Sequence, residues 1–142
     1  MKIIFIFAAL ILLFGCNNDN LKDSSYDDDC DYSSCETVEP FYTDISIKFT
    51  RNAENPNPTI YLMNGYYDEG SIIDSIETDT VSGKIASKSV LLNFQYTVFI
   101  KYISGTDTII AIDGDYVHKN TYNECDSICW AVYNTKFNLK LK

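Results

Sequence analysis

The chain has 142 residues, five cysteines and one histidine, and its 20 acidic against 11 basic side chains leave a formal charge of −9. An acidic chain without a Lys/Arg cluster is poorly matched to phosphate backbones, which argues against a nucleic-acid partner. Its length allows one domain of ordinary size once the N-terminal segments are set aside.

Met1-Lys2 supplies one positive charge, Ile3 to Phe14 is an unbroken apolar run of twelve residues, and Gly15 precedes Cys16. This order describes a secretory signal peptide over residues 1–15. The run is too short to cross a bilayer core, which needs about 20 residues. Leu13-Phe14-Gly15-Cys16 resembles a bacterial lipobox, with Phe14 standing where a small residue is usual. The resemblance implies diacylglycerol on the Cys16 thiol, cleavage after Gly15 and acylation of the new amine. Parity agrees with it. Five cysteines are an odd number, and lipidation of Cys16 leaves Cys30, Cys35, Cys125 and Cys129 free to pair. That covalent lipid is the one prosthetic group expected.

Residues 16–35 read as an acidic tether carrying the first cysteine pair. Asn17 to Asp31 holds six aspartates against Lys22, and Leu21 is its one aliphatic residue. Such a stretch buries too little surface to offset its ordering entropy, and about fifteen flexible residues reach roughly 20 Å. Asp27-Asp28-Asp29 lacks the Gly and Glu positions of a calcium loop. Acidity soon after the cysteine also resembles the export signal that carries Bacteroidota lipoproteins to the outer face of the outer membrane.

Residues 36–142 form the expected domain, with fourteen acidic and nine basic side chains. Asp44 to Phe49 alternates, with Ile45, Ile47 and Phe49 on one side, the period of a half-buried strand. Asn55-Pro56-Asn57-Pro58 breaks the chain. Thr59 to Met63 is a second strand ending at Asn64-Gly65. Ser71 to Thr78 is a third, although Ile72 and Ile73 are adjacent and spoil its alternation. Gly83 to Ser87 is a fourth. Phe94 to Ile103 alternates most clearly, Ser104-Gly105-Thr106-Asp107 has hairpin-turn composition, and Thr108 to Asp113 returns until Gly114 stops it. Trp130 to Tyr133 and Phe137 to Leu141 complete the set. No window longer than ten residues has a helical period. About seven short strands between turn signals indicate an all-β fold, an antiparallel β-sandwich of immunoglobulin-like or prealbumin-like kind. A small β-barrel is the alternative.

The chain also resembles a group of small Bacteroidota outer-membrane lipoproteins. The resemblance rests on Cys30 and Cys35 before Glu39-Pro40, on Thr59-Ile60-Tyr61 followed by Gly65 and Tyr67, and on Ala111-Ile112-Asp113-Gly114-Asp115. Cys125, Cys129-Trp130 and the terminal Asn138-Leu139-Lys140-Leu141-Lys142 complete it. It implies a sandwich fold and an outer-membrane address, and brings no activity with it.

Export favours disulfides over zinc, and Cys-x4-Cys with Cys-x3-Cys is not a common zinc pattern. Two pairing schemes stand open. Local pairing needs a turn at Asp126-Ser127-Ile128, because Cys125 and Cys129 would lie about 13 Å apart on an extended strand. Cross pairing would staple the start of the domain to its last strands and close loops of about 90–100 residues.

Catalytic signals are sparse. His118 is the sole histidine, and no Gly-x-Ser-x-Gly, His-Glu-x-x-His or Gly-rich phosphate loop occurs. Neither catalytic residues nor a metal site are therefore expected, and a hydrolase has no motif to stand on. Asp113-Gly114-Asp115 reads as a glycine turn between solvated aspartates. Tyrosine is abundant at eleven residues and suits binding surfaces. Tyr66-Tyr67, beside Gly65, is the expected tip of an aromatic patch. These features suggest a noncatalytic binding or accessory module, displayed on the cell surface and meeting a protein or a glycan. A structural envelope lipoprotein without a ligand is the alternative.

Overall fold

The computed structural model describes residues 32–141. The expected signal peptide, Cys16, Cys30 and the acidic run to Asp31 lie outside the described residues. Alternation builds the strands where it was expected. In β1 (Tyr42–Phe49), Ile45, Ile47 and Phe49 are buried while Asp44 and Lys48 are exposed. β2 (Thr59–Asn64), β3 (Ser71–Glu77), β4 (Ile85–Leu91) and β5 (Phe94–Ser104) follow. Then come β6 (Asp107–Glu124), β7 (Ser127–Tyr133) and β8 (Lys136–Leu139). The strands form two sheets, ordered β4-β1-β8 and β3-β2-β5-β6-β7. The fold is thus a β-sandwich of eight strands. All neighbours are antiparallel except β1 and β8, which run parallel.

The core lies between the sheets. Ile45, Ile47 and Phe137 from the smaller sheet meet Ile60, Val98 and Ile100 from the larger, all essentially inaccessible to water. Each such side chain contributes about 1.5–3 kcal/mol through burial. Tyr102 carries a polar atom into this core and satisfies it twice. Its hydroxyl donates to Leu139 O at 2.8 Å and accepts from Thr50 N at 2.9 Å. An ion pair between Lys88 on β4 and Asp74 on β3 joins an edge strand of each sheet. The Lys88 bond holds the Asp74 carboxyl below its ordinary value.

The structure corrects one expectation, explains a second and decides a third. Gly114 does not stop a strand, and Asp113-Gly114-Asp115 is not a turn: β6 runs through it to Glu124. Gly114 lies opposite Thr97, and a Cβ there would approach Thr97 Oγ1 to 3.1 Å and Tyr96 O to 3.2 Å. The glycine serves close packing within the sheet. The aspartates are strand residues rather than turn residues, with Asp115 exposed and Asp113 half-buried. Asp113 accepts from Gly114 N and from Asn138 N on β8, and Asp115 accepts from Tyr116 N and Asn134 Nδ2. Ile72-Ile73 is explained by a β-bulge. Leu62 pairs with Asp74 and Met63 with Ile72, which leaves Ile73 as the extra residue.

The structure also decides between the two cysteine pairings left open by the sequence. Cys35 is bonded to Cys129, with Cα atoms 5.0 Å apart, which excludes local pairing and answers to the cross scheme. The turn into β7 instead uses Cys125, in the left-handed region at φ 53°. Cys125 is itself disulfide-bonded. Tyr32–Cys35 also pack on the β6–β7 hairpin, ahead of the Glu36 boundary expected for the domain. Tyr32 Oη donates to Asp126 Oδ1 at 2.5 Å and Tyr122 Oη donates to Ser34 O at 3.0 Å. Trp130 N donates to Glu36 O at 2.8 Å.

Candidate functional site

Register divides the larger sheet into two faces. Tyr96, Val98, Ile100 and Tyr102 on β5 point into the sandwich and are buried. Their neighbours Thr97, Phe99 and Lys101 therefore stand on the outer face, with Tyr61 and Met63 of β2 and Ile110, Ile112 and Gly114 of β6.

The loop after β2 adds to this face. Gly65, at φ 97°, turns the chain, its N–H donating to Gln95 O at 2.8 Å and its carbonyl accepting from Thr97 Oγ1 at 2.7 Å. Gly70 closes the loop by donating to Tyr66 O. A Cβ on Gly70 would lie 2.6 Å from two carbonyl oxygens, so only glycine fits. The loop so held lays Tyr67 edge-on against Phe99, with ring centroids 5.4 Å apart. Phe99 in turn stacks on Tyr61 at 4.9 Å. Tyr66 projects beyond them, 62% exposed. The two tyrosines picked from sequence thus sit together at the rim of an aromatic cluster, but Tyr61 and Phe99 form its floor. Phe99 was not identified from sequence, because alternation gives its face but not its ring partners, which come from β2 and the loop after it.

Farther along the same face, His118 is sandwiched between Tyr116 and Tyr133, with centroid distances of 5.5 and 5.3 Å and planes within 19°. His118 Nδ1 lies 3.0 Å from Tyr116 O. A carbonyl can only accept, so the contact places the proton on Nδ1. The neighbouring carboxylates Asp113 and Asp115 are turned to backbone amides instead. No group of three or more His, Cys, Asp or Glu among the described residues could hold a metal ion.

These features define a disulfide-crosslinked, two-layer all-β domain with an aromatic band on the outer face of its larger sheet. Comparison with protein families, curated proteins and solved structures returns no match.

Proposed function

We propose that this chain is an outer-membrane lipoprotein of the kind found in Bacteroidota, held through lipid on Cys16 and facing outside the cell. Its sandwich serves as a noncatalytic binding or accessory module. The observation that carries the binding reading is the aromatic band. Tyr66 and Tyr67 stand exposed beside Phe99 and Tyr61, and Tyr116, His118 and Tyr133 stack on the same face. Rigid rings offer large contact area at low entropy cost, the property that enriches tyrosine in binding surfaces. Cysteine parity supports the anchor. Cys35 and Cys129 consume each other and Cys125 is bonded as well. Assigning Cys30 to Cys125 leaves Cys16 for lipid.

Two measurements on cells test this reading. Cys16→Ser should release the signal-cleaved protein from outer membranes. Retention there after cleavage would exclude a lipid anchor at Cys16. Cross-linking on intact cells should capture a protein or glycan partner, and Tyr66→Ser with Tyr67→Ser should reduce capture by about tenfold or more, the range of a binding hot spot. Unchanged capture would remove the aromatic band from the contact surface.

A further inference from the structure

β6 is longer than either of its neighbours. Asp107–Val117 pair with β5, while His118–Glu124 pair with β7 on the opposite side. Among the described residues, no strand therefore covers the other edge of the first half of β6. In an antiparallel ladder alternate residues direct their backbone groups to opposite sides, and local bonds show which residues face this edge. Gly114 N and Tyr116 N take the side chains of Asp113 and Asp115, and Tyr116 O takes Asn134 Nδ2. The even-numbered residues thus face away from β5.

The same bonds show where the edge is closed and where it is open. Gly114 and Tyr116 are capped by side chains. Across the groove, Asn138 N is capped by Asp113 and Lys140 N by Asn138 Oδ1. Thr108, Ile110 and Ile112 have no such cap among the described residues. From Thr108 to Ile112 there is no Lys, Pro or bulge, the usual protections of an edge. Ile109, Ile110 and Ile112 are each 43–44% exposed. This edge forms one wall of a groove of about 490 Å³, whose other wall is Asn138, Lys140 and Leu141.

We infer that this groove receives an extended segment of a partner protein, which adds as a strand to β6 at Thr108–Ile112 in line with β7. A row of alternating N–H and C=O groups is matched by polypeptide backbone, and the flanking isoleucines select apolar side chains at alternate positions. Charge narrows the choice further. Lys140 lines the groove and is in no ion pair among the described residues, whereas both oxygens of Asp113 are engaged. The groove therefore favours an acidic residue at the Lys140 end. A second copy of this chain is a poorer occupant. Pairing about a two-fold axis centred on Ile110 or Ala111 sets Asp107 against Asp113 or Asp115 of the other copy, and like charges directly opposed are destabilising. The inference rests on the reading of the domain as a binding module and names the class of its ligand.

The test uses the detergent-solubilised full chain and synthetic peptides of alternating valine and threonine ending in aspartate. Binding should slow hydrogen exchange at the Thr108, Ile110 and Ile112 amides. N-methylation of alternate peptide amides should weaken it by about tenfold or more, as should Ile112→Lys, which places an edge charge on the outer face. Binding indifferent to N-methylation, or no binding at millimolar peptide, overturns the strand-addition proposal. Protection of the same amides with concentration-dependent dimerisation in the absence of peptide assigns the edge to a second copy and also overturns it. A partner captured on cells whose yield is insensitive to Ile112→Lys would leave the binding module standing and remove this edge from it.

Discussion

At the scale of single residues, Tyr102 shows how a polar atom is accommodated in an apolar core. The side chain is fully buried, yet its hydroxyl ties Thr50 to Leu139, linking the exits of β1 and β8. Tyr102→Phe keeps the ring and leaves a backbone N–H and a carbonyl without that partner, which costs about 1–3 kcal/mol. Urea unfolding should show the loss as a lower midpoint with an unchanged slope. Burial also pushes the phenols of Tyr96 and Tyr102 above their ordinary 10.0. The unfolded chain then loses these protons first, so their contribution is whole below pH 10.0 and falls away as pH rises through the folded-state values. Alkaline unfolding followed by circular dichroism should begin above pH 10.0, with a shallower decline in Tyr102→Phe. An equally steep decline in that variant would show that this phenol is not a source of the alkaline limb.

At the scale of elements, the β6–β7 hairpin is the platform on which residues 32–41 are fastened. Lys119 is central to it. Its ammonium pairs with Glu39 at 2.7 Å, donates to Pro40 O at 2.7 Å and lies over the rings of Phe41 and Trp130. The stem of this lysine fills space that a shorter side chain would leave open. Lys119→Met retains the stem and removes the charge. A loss of about 1–3 kcal/mol is expected, below that of a fully buried pair because Glu39 is half exposed. Hydrogen exchange should quicken at Glu36–Phe41 and not in β1. Uniform acceleration through β1 would show instead that the lysine supports the whole sandwich.

At the scale of the whole molecule, the Cys35–Cys129 bond, with a sequence separation of 94, closes most of the domain into one loop. The chain-entropy model assigns such a loop about 4–5 kcal/mol, through restriction of the unfolded chain. Replacing Cys35 and Cys129 together by Ala should lower stability by up to that amount while leaving the strand content of the folded state unchanged. A folded state with altered circular dichroism would mean that the bond shapes the native sheet as well. In the proposed lipoprotein, load from the membrane anchor would enter the sandwich through the β6–β7 hairpin, where Cys35, Glu36 and Tyr32 are held.

The amino-acid sequence by itself determined that the domain is all-β, where most strands lie and which of their residues face inward. Period-two alternation is a local property, and Ile45, Ile47, Val98 and Ile100 declare it without reference to the rest of the chain. It also singled out Tyr66 and Tyr67, because a glycine turn beside two tyrosines is legible within four residues. The tertiary structure decided what depends on distant partners. Gly114 has the local chemistry of a turn, and its strand placement follows from Thr97 packing where a Cβ would stand. Pairing schemes for four cysteines have nearly the same local chemistry, so only the approach of the N-terminal segment to β7 separates them. The aromatic band and the open edge of β6 likewise arise between strands. Phe99 needs Tyr61 and Tyr67 to become part of a surface. Thr108–Ile112 becomes an edge only because β7 pairs with the other half of β6.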